Sequence, residues 1–192
     1  SPENRLIRFQ CSPFHLATPL YPVIMHLEAT MGFTRSLTAE ERLDRIEGLV
    51  CGRHRLPASD VRYIAALMSV PFSHRHGAIT ESPRLAKAQT LRILMAMIVS
   101  ASSVAPAVML FEDLHWADAT TLEALDLVVS QLDKIPVFLI VTYRPEFTPR
   151  WSGSPHSRLI TLPRLSPDQS LAMIRRCAGG MSLPPPVEDM IV

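Results

Sequence analysis

The chain has 192 residues, 47% apolar and 19% charged, with nineteen basic against eighteen acidic side chains. That length can bury a full core and the composition excludes a disordered chain, while the balanced charge excludes a nucleic-acid-coating surface or a polybasic membrane patch. Three widely spaced cysteines, Cys11, Cys51 and Cys177, make neither a disulfide framework nor a Cys-x-x-Cys metal site and point to a reducing, cytoplasmic setting.

Ser1-Pro2-Glu3-Asn4-Arg5 carries no apolar signal core, and a chain opening without Met reads as a fragment or a processed product. Leu6-Ile7-Arg8-Phe9-Gln10-Cys11 predicts a short strand closed by Ser12-Pro13. A helix follows from about Leu20 to Met31, with Gly32 as its stop. Thr38-Ala39-Glu40-Glu41 is a capping box opening a helix that ends near Gly52, with Leu43, Ile46, Leu49 and Val50 as its buried stripe. Ser59 is the expected cap of another helix bearing Val61, Ile64 and Ala65, and Val70 to Gly77 is expected as loop. Ser82-Pro83 predicts the start of a long helix to about Ser100. Its apolar stretch from Leu91 to Val99 is interrupted by Arg92 and too short to span a bilayer, so no membrane partner is expected.

The next stretch carries the chemistry. Ala107-Val108-Met109-Leu110-Phe111 is an apolar run that ends in the adjacent carboxylates Glu112 and Asp113, as expected of a buried parallel strand delivering acids at its carboxyl end. Leu114-His115-Trp116-Ala117 follows, and Asp118 predicts the N-cap of a helix from Ala119 to Leu132. Val137 to Val141 reads as a second strand covered on both faces and ends in Thr142-Tyr143-Arg144-Pro145. After a loop from Glu146 to His156, Leu159 to Leu162 predicts a short strand. Ser166-Pro167-Asp168-Gln169 is a second capping box, whose helix Gly179-Gly180 stops, and Pro184-Pro185-Pro186 is a breaker. Strands alternating with helices predict a parallel α/β sheet, the four helices between its first two strands forming a helical insertion.

What is lacking matters as much. The only lysines are Lys87 and Lys134, and neither follows a glycine, so no G-x-x-x-x-G-K-[ST] phosphate cradle can be written in this sequence. Each candidate also has a plainer reading. Glu112-Asp113 could cap a turn, Arg144 could pair with Glu146, and Asp118 serves better as a cap than as a ligand. The cluster His74-Arg75-His76 with His54 matches no usual metal spacing. Cys11 near His15 is a cysteine ending a buried strand, which is ordinarily inert. Met95 to Met97 is expected as core filler.

Cys11-Ser12-Pro13, Leu20-Tyr21-Pro22-Val23-Ile24, Phe111-Glu112-Asp113-Leu114-His115-Trp116-Ala117-Asp118, Thr142-Tyr143-Arg144-Pro145-Glu146-Phe147 and Leu165-Ser166 occur in one family's order. Over roughly Arg5 to Val192 the chain resembles the STAND-type P-loop ATPase (AAA-like) module found beside bacterial class III adenylate cyclase domains and in large transcriptional regulators with helical repeats. The resemblance implies an incomplete P-loop NTPase core over 1–162, with the insertion spanning positions 20–100 or so, and the start of a helical lid over 163–192. It implies Glu112 and Asp113 as the Walker B pair, Glu112 helping to hold Mg²⁺ and Asp113 orienting the attacking water, with Arg144 sensing the terminal phosphate of Mg-ATP. ATP binding and hydrolysis then work a switch in a cytoplasmic signalling protein, whose partners are a neighbouring cyclase or regulatory domain and helical repeats, with no direct nucleic-acid contact from this segment.

The family's first strand and phosphate loop have no counterpart here. The chain therefore reads as an N-terminally truncated piece, catalytically silent and without tight ATP binding on its own, its sheet holding a slot where an internal strand belongs. The alternative function is a non-catalytic scaffold with a degenerate P-loop fold.

Overall fold

Among the described residues three short strands alternate with helices, at three of the four places where the sequence predicts one. The computed structural model describes residues 5–154 and 157–177, and the chain divides into two compact units, Ser1–His156 and Ser157–Val192. In the first unit β1 (Arg5–Gln10), β2 (Ala107–Glu112) and β3 (Val137–Val141) pair in that order, both pairs parallel. Between β1 and β2 run α1 (Tyr21–Met31), α2 (Ala39–Glu47), α3 (Val61–Leu67), α4 (Ser73–His76) and α5 (Pro83–Val104), and α6 (Ala119–Val129) joins β2 to β3. The second unit contributes α7 (Pro167–Cys177). The protein is thus mixed α/β with a small parallel sheet, and among the described residues no helix is long and apolar enough to cross a membrane.

Local signals explain where the helices begin and end. The Thr38 hydroxyl accepts from the Glu41 N–H (3.2 Å) while Glu41 accepts from the Thr38 N–H (2.8 Å), so the capping box is complete. Those bonds from Thr38, first the backbone and then the hydroxyl, hold the Glu41 carboxyl below its ordinary value. Gly32 ends α1 at φ 63°, and the Arg45 guanidinium reaches back from α2 to the carbonyls of Met31 (2.7 Å) and Gly32 (2.6 Å). A side chain at position 32 would place its Cβ 3.1 Å from that guanidinium, so glycine serves both the left-handed turn and the close approach. Ser82 and Asp118 cap α5 and α6 as expected, and Ser166 with Gln169 forms the reciprocal pair that opens α7.

Two apolar cores result. The helical insertion buries Leu43, Ile46, Val50, Val61, Ile64 and Ile93 completely. Each contributes about 2 kcal/mol of transfer free energy, enough for α2, α3 and α5 to hold together as a block. The second core lies on one face of the sheet, where Phe9 and Phe111, opposite each other in the β1–β2 register, stack at 4.2 Å between ring centroids. Met109, Leu125 and Val128 complete it, with Met95 and Ile98 of α5 against it. Met97 is buried in the first core, so the methionines do serve as filler.

Several sequence expectations need correction. Ser59 caps nothing: it lies inside a 3₁₀ turn, Ala58–Asp60, that leads into α3. The stretch expected as loop contains α4, fixed by Arg75, which bonds Asp44 (2.7 Å) and Glu47 (2.8 Å), and by His74 and His76, which meet Glu40 (2.8 Å) and Glu47 (2.6 Å). These acids, far away in sequence, are what the histidine cluster faces. Leu159 to Leu162 forms no strand and its leucines are exposed. Gly179-Gly180 and the proline run lie outside the described residues.

The sheet itself departs most. The three strands are contiguous, so no internal slot exists among them. Nor is β3 covered on both faces, for Phe138 is 66% and Ile140 40% exposed. In register with them stand Leu6, also exposed, and the half-exposed Val108 and Leu110. The part of this face formed by Leu6, Val108, Leu110, Phe138 and Ile140 is therefore apolar and open, while Arg8, Gln10 and Glu112 occupy its other positions.

Candidate functional site

At the carboxyl end of β2 the chain turns abruptly. Asp113 takes the left-handed conformation (φ 56°, ψ 44°), which aspartate tolerates better than most residues. Thr142, the first residue after β3, fixes that turn. Its hydroxyl accepts from the Asp113 N–H (3.1 Å), its carbonyl from the Leu114 N–H (2.8 Å), and its own N–H donates to the Phe111 carbonyl (2.9 Å). The 3₁₀ turn Leu114–Trp116 follows, and then Asp118 starts α6.

The Asp113 carboxylate caps no N–H of that turn, which removes its plainer reading. Instead it accepts from the side-chain amide of Gln10 on β1 (2.8 Å). Glu112 pairs with the guanidinium of Arg8, also on β1, in an arrangement open enough for solvent to screen it. Arg144 forms no ion pair with Glu146 or with any other described carboxylate. Its guanidinium carbon lies 5.9 Å from the centre of the Trp116 indole, a cation–π contact. His115 packs against the same indole (4.9 Å between centroids), and both its ring nitrogens are buried with no hydrogen-bond partner among the described residues.

Glu112, Asp113 and Arg144 thus share the carboxyl edge of the sheet. Thr142 ties Asp113 to the segment carrying Arg144, and Trp116, three residues after Asp113, seats the Arg144 cation. Arg8, Gln10 and Thr142 escaped the sequence reading. The alternation of Leu6, Arg8 and Gln10 did place them on one face of a strand, but only the parallel register, which sets Gln10 opposite Glu112, brings them to the acids.

Asp118 is a structural hub. Its carboxylate accepts from the N–H groups of Thr120 (2.9 Å) and Thr121 (3.0 Å), from the Thr121 hydroxyl, and from the N–H of Leu20 (3.1 Å). Leu20, buried and at φ 58°, is thereby held in a left-handed turn that leucine seldom adopts.

Cys11 follows β1, 3% exposed, and its thiol is pushed up to about 12, first by burial and then by the nearby charges of Asp118 and Asp113. The His15 ring stacks on Tyr21 at 3.6 Å. A protonated, enclosed thiol is no nucleophile. Thiol reagents in mildly alkaline buffer should label the exposed Cys177 quickly and Cys11 only on unfolding; labelling of native Cys11 at the rate of Cys177 would refute the burial. Because the unfolded thiol ionises near its ordinary 9.0 while the native one keeps its proton to about 12, this group removes stability as pH climbs through that interval.

The acids meet the protein's usual share of a Mg²⁺ site, one or two carboxylates completed by substrate phosphates. The phosphates themselves lack a grip among the described residues. Lys87 is paired with Glu123 (2.7 Å), and Lys134 lies before β3, at the opposite end of the strand from Arg144. No glycine occurs in the turns that follow β1 and β2, where a backbone cradle would form. These residues alone do not fit a metal–triphosphate complex.

No family model matches the chain, and no solved structure matches it. An uncharacterized protein of Rhizobium meliloti (strain 1021) is similar, 26% identical over 178 residues; the match covers 90% of this chain and 16% of that relative.

Proposed function

We propose that this chain is part of an ATP-binding and ATP-hydrolysing switch module, with a P-loop NTPase core of the STAND type, in a multidomain signalling protein that also carries a cyclase or transcription-regulating domain. The observation that carries this reading is the placement of two adjacent carboxylates, Glu112 and Asp113, at the carboxyl end of a parallel strand, with Arg144, which has no ion-pair partner among the described residues, in the segment that follows the neighbouring strand. In this reading the phosphate grip comes from sequence beyond these 192 residues. A relative in which the matching segment is 16% of the length supports a module within a larger protein.

Two measurements test the reading. The 192-residue chain should show no saturable thermal stabilisation by millimolar Mg-ATP. The longest reading frame that contains it should hydrolyse ATP, and Asp113→Asn in that protein should lower turnover by about 100-fold or more while nucleotide binding persists. Turnover unchanged by Asp113→Asn removes the assignment.

The second reading, a non-catalytic scaffold, is favoured by one observation: both carboxylates already have side-chain partners on β1, Arg8 and Gln10. A longer protein that neither binds nor hydrolyses ATP selects the scaffold.

A further inference from the structure

Behind the sheet, on its covered face, lies a chamber of about 100 Å³. Phe9 and Phe111 form its sheet wall, Leu27 of α1 a second, Met95 and Ile98 of α5 a third, and Leu125 of α6 a fourth. Glu112, Asp113 and Arg144 do not line it, so it is separate from the carboxylate site. It is also unsuited to water. A buried water needs two to four polar partners, and the wall offers few: the Thr30 hydroxyl is engaged with the His26 ring (3.4 Å), and Ser102 donates to the Val99 carbonyl (3.2 Å).

Size and charge narrow the occupant. A dry apolar cavity of roughly 150 Å³ holds benzene; this chamber, about a third smaller, suits a short hydrocarbon chain and excludes a lipid tail or a nucleotide. At its rim stands Arg53, exposed and with no ion-pair partner among the described residues. The next residue, His54, is joined to α5 where its carbonyl accepts from the Ser100 hydroxyl (3.5 Å), which ties the Arg53 segment to the part of α5 that lines the chamber with Ala101. An apolar chamber with one cation at its entrance recognises a molecule with the opposite design.

We infer that this chamber binds a small amphiphilic carboxylate, roughly the last four carbons of its hydrocarbon body enclosed between sheet and helices and its acid group at Arg53. Ligands of this class are short-chain carboxylic acids. Binding there fills a void between α1, α5 and the sheet and stabilises the native chain by mass action.

Hexanoate, hexan-1-ol and acetate serve as probes on the 192-residue chain, read by melting temperature and by the methyl signals of Met95 and Ile98. Hexanoate should raise the melting temperature saturably and shift both methyl signals, whereas acetate, which has the charge without the body, should do neither. Arg53→Ala should weaken hexanoate about three- to fivefold, the range for a partly exposed charge contact, and leave hexan-1-ol unchanged. Ala101→Leu should fill part of the chamber and abolish both effects; should that variant not fold, the surface substitution Arg53→Ala still decides. Equal responses to hexanoate and acetate, methyl signals that do not move, or a hexanoate affinity indifferent to Arg53→Ala would each overturn the inference.

Discussion

Asp118→Ala should lower the unfolding free energy by about 3 kcal/mol. Loss of an N-cap contributes about 1 kcal/mol, and leaving a half-buried N–H without an acceptor adds about 1–3 kcal/mol. Four donors converge on this carboxylate: Thr120 and Thr121 through their N–H groups, Thr121 through its hydroxyl, and Leu20 through its N–H. The last of these makes the effect large. Leu20 sits in the left-handed region, so without Asp118 the turn into α1 has less to oppose its strain. At about 2–4 °C per kcal/mol for a chain of this size, the melting temperature should fall by roughly 6–12 °C. Asp118→Asn, which keeps an acceptor oxygen, should recover part of the loss. Denaturant unfolding checks both variants, and a loss under about 0.5 kcal/mol for Asp118→Ala would mean that the carboxylate does not join the two helices.

The isolated chain should also self-associate through the open apolar patch on its sheet. Leu6 (62% exposed), Phe138 (66%) and Ile140 (40%) form an apolar patch with Val108 and Leu110 between them, and monomeric proteins seldom leave such a surface uncovered. Replacing Leu6 and Phe138 together with lysine removes roughly 3 kcal/mol of apolar burial from any complex on this face. Association should weaken by about 100-fold in sedimentation equilibrium while circular dichroism stays unchanged, since both side chains point away from the core. A wild-type chain that is already monomeric at high concentration, or lysine variants that associate equally well, would contradict this expectation.

Much of the fold was legible in the sequence because its signals are local. Thr38 with Glu41, Ser82 before Pro83, Asp118 before its helix and Ser166 with Gln169 each specify a helix start within four residues. The acid pair at a strand end was equally plain. Contacts made over long sequence separations were not. Arg8 meets Glu112 across 104 positions, and α4 exists because Arg75 finds acids about thirty residues earlier in the chain. Exposure of β3 was misread for a related reason. An apolar run reports what a strand tolerates on both faces, whereas burial depends on what stands opposite, and Phe138 is 66% exposed. Leu159 to Leu162 has strand-like residues, but no described strand pairs with it.

The order in which this molecule assembles follows from how far β1 lies from β2. Arg5 pairs with Ala107, so the first ladder cannot zip until the intervening segment has drawn its ends together. Closing so long a loop in a disordered chain is slow and entropically costly. A helical block with its own oily interior shortens that search by condensing first, on contacts of short range. The acids at the end of β2 and the residues of β1 that hold them are accordingly joined by contacts of long sequence separation, which a folding chain closes late.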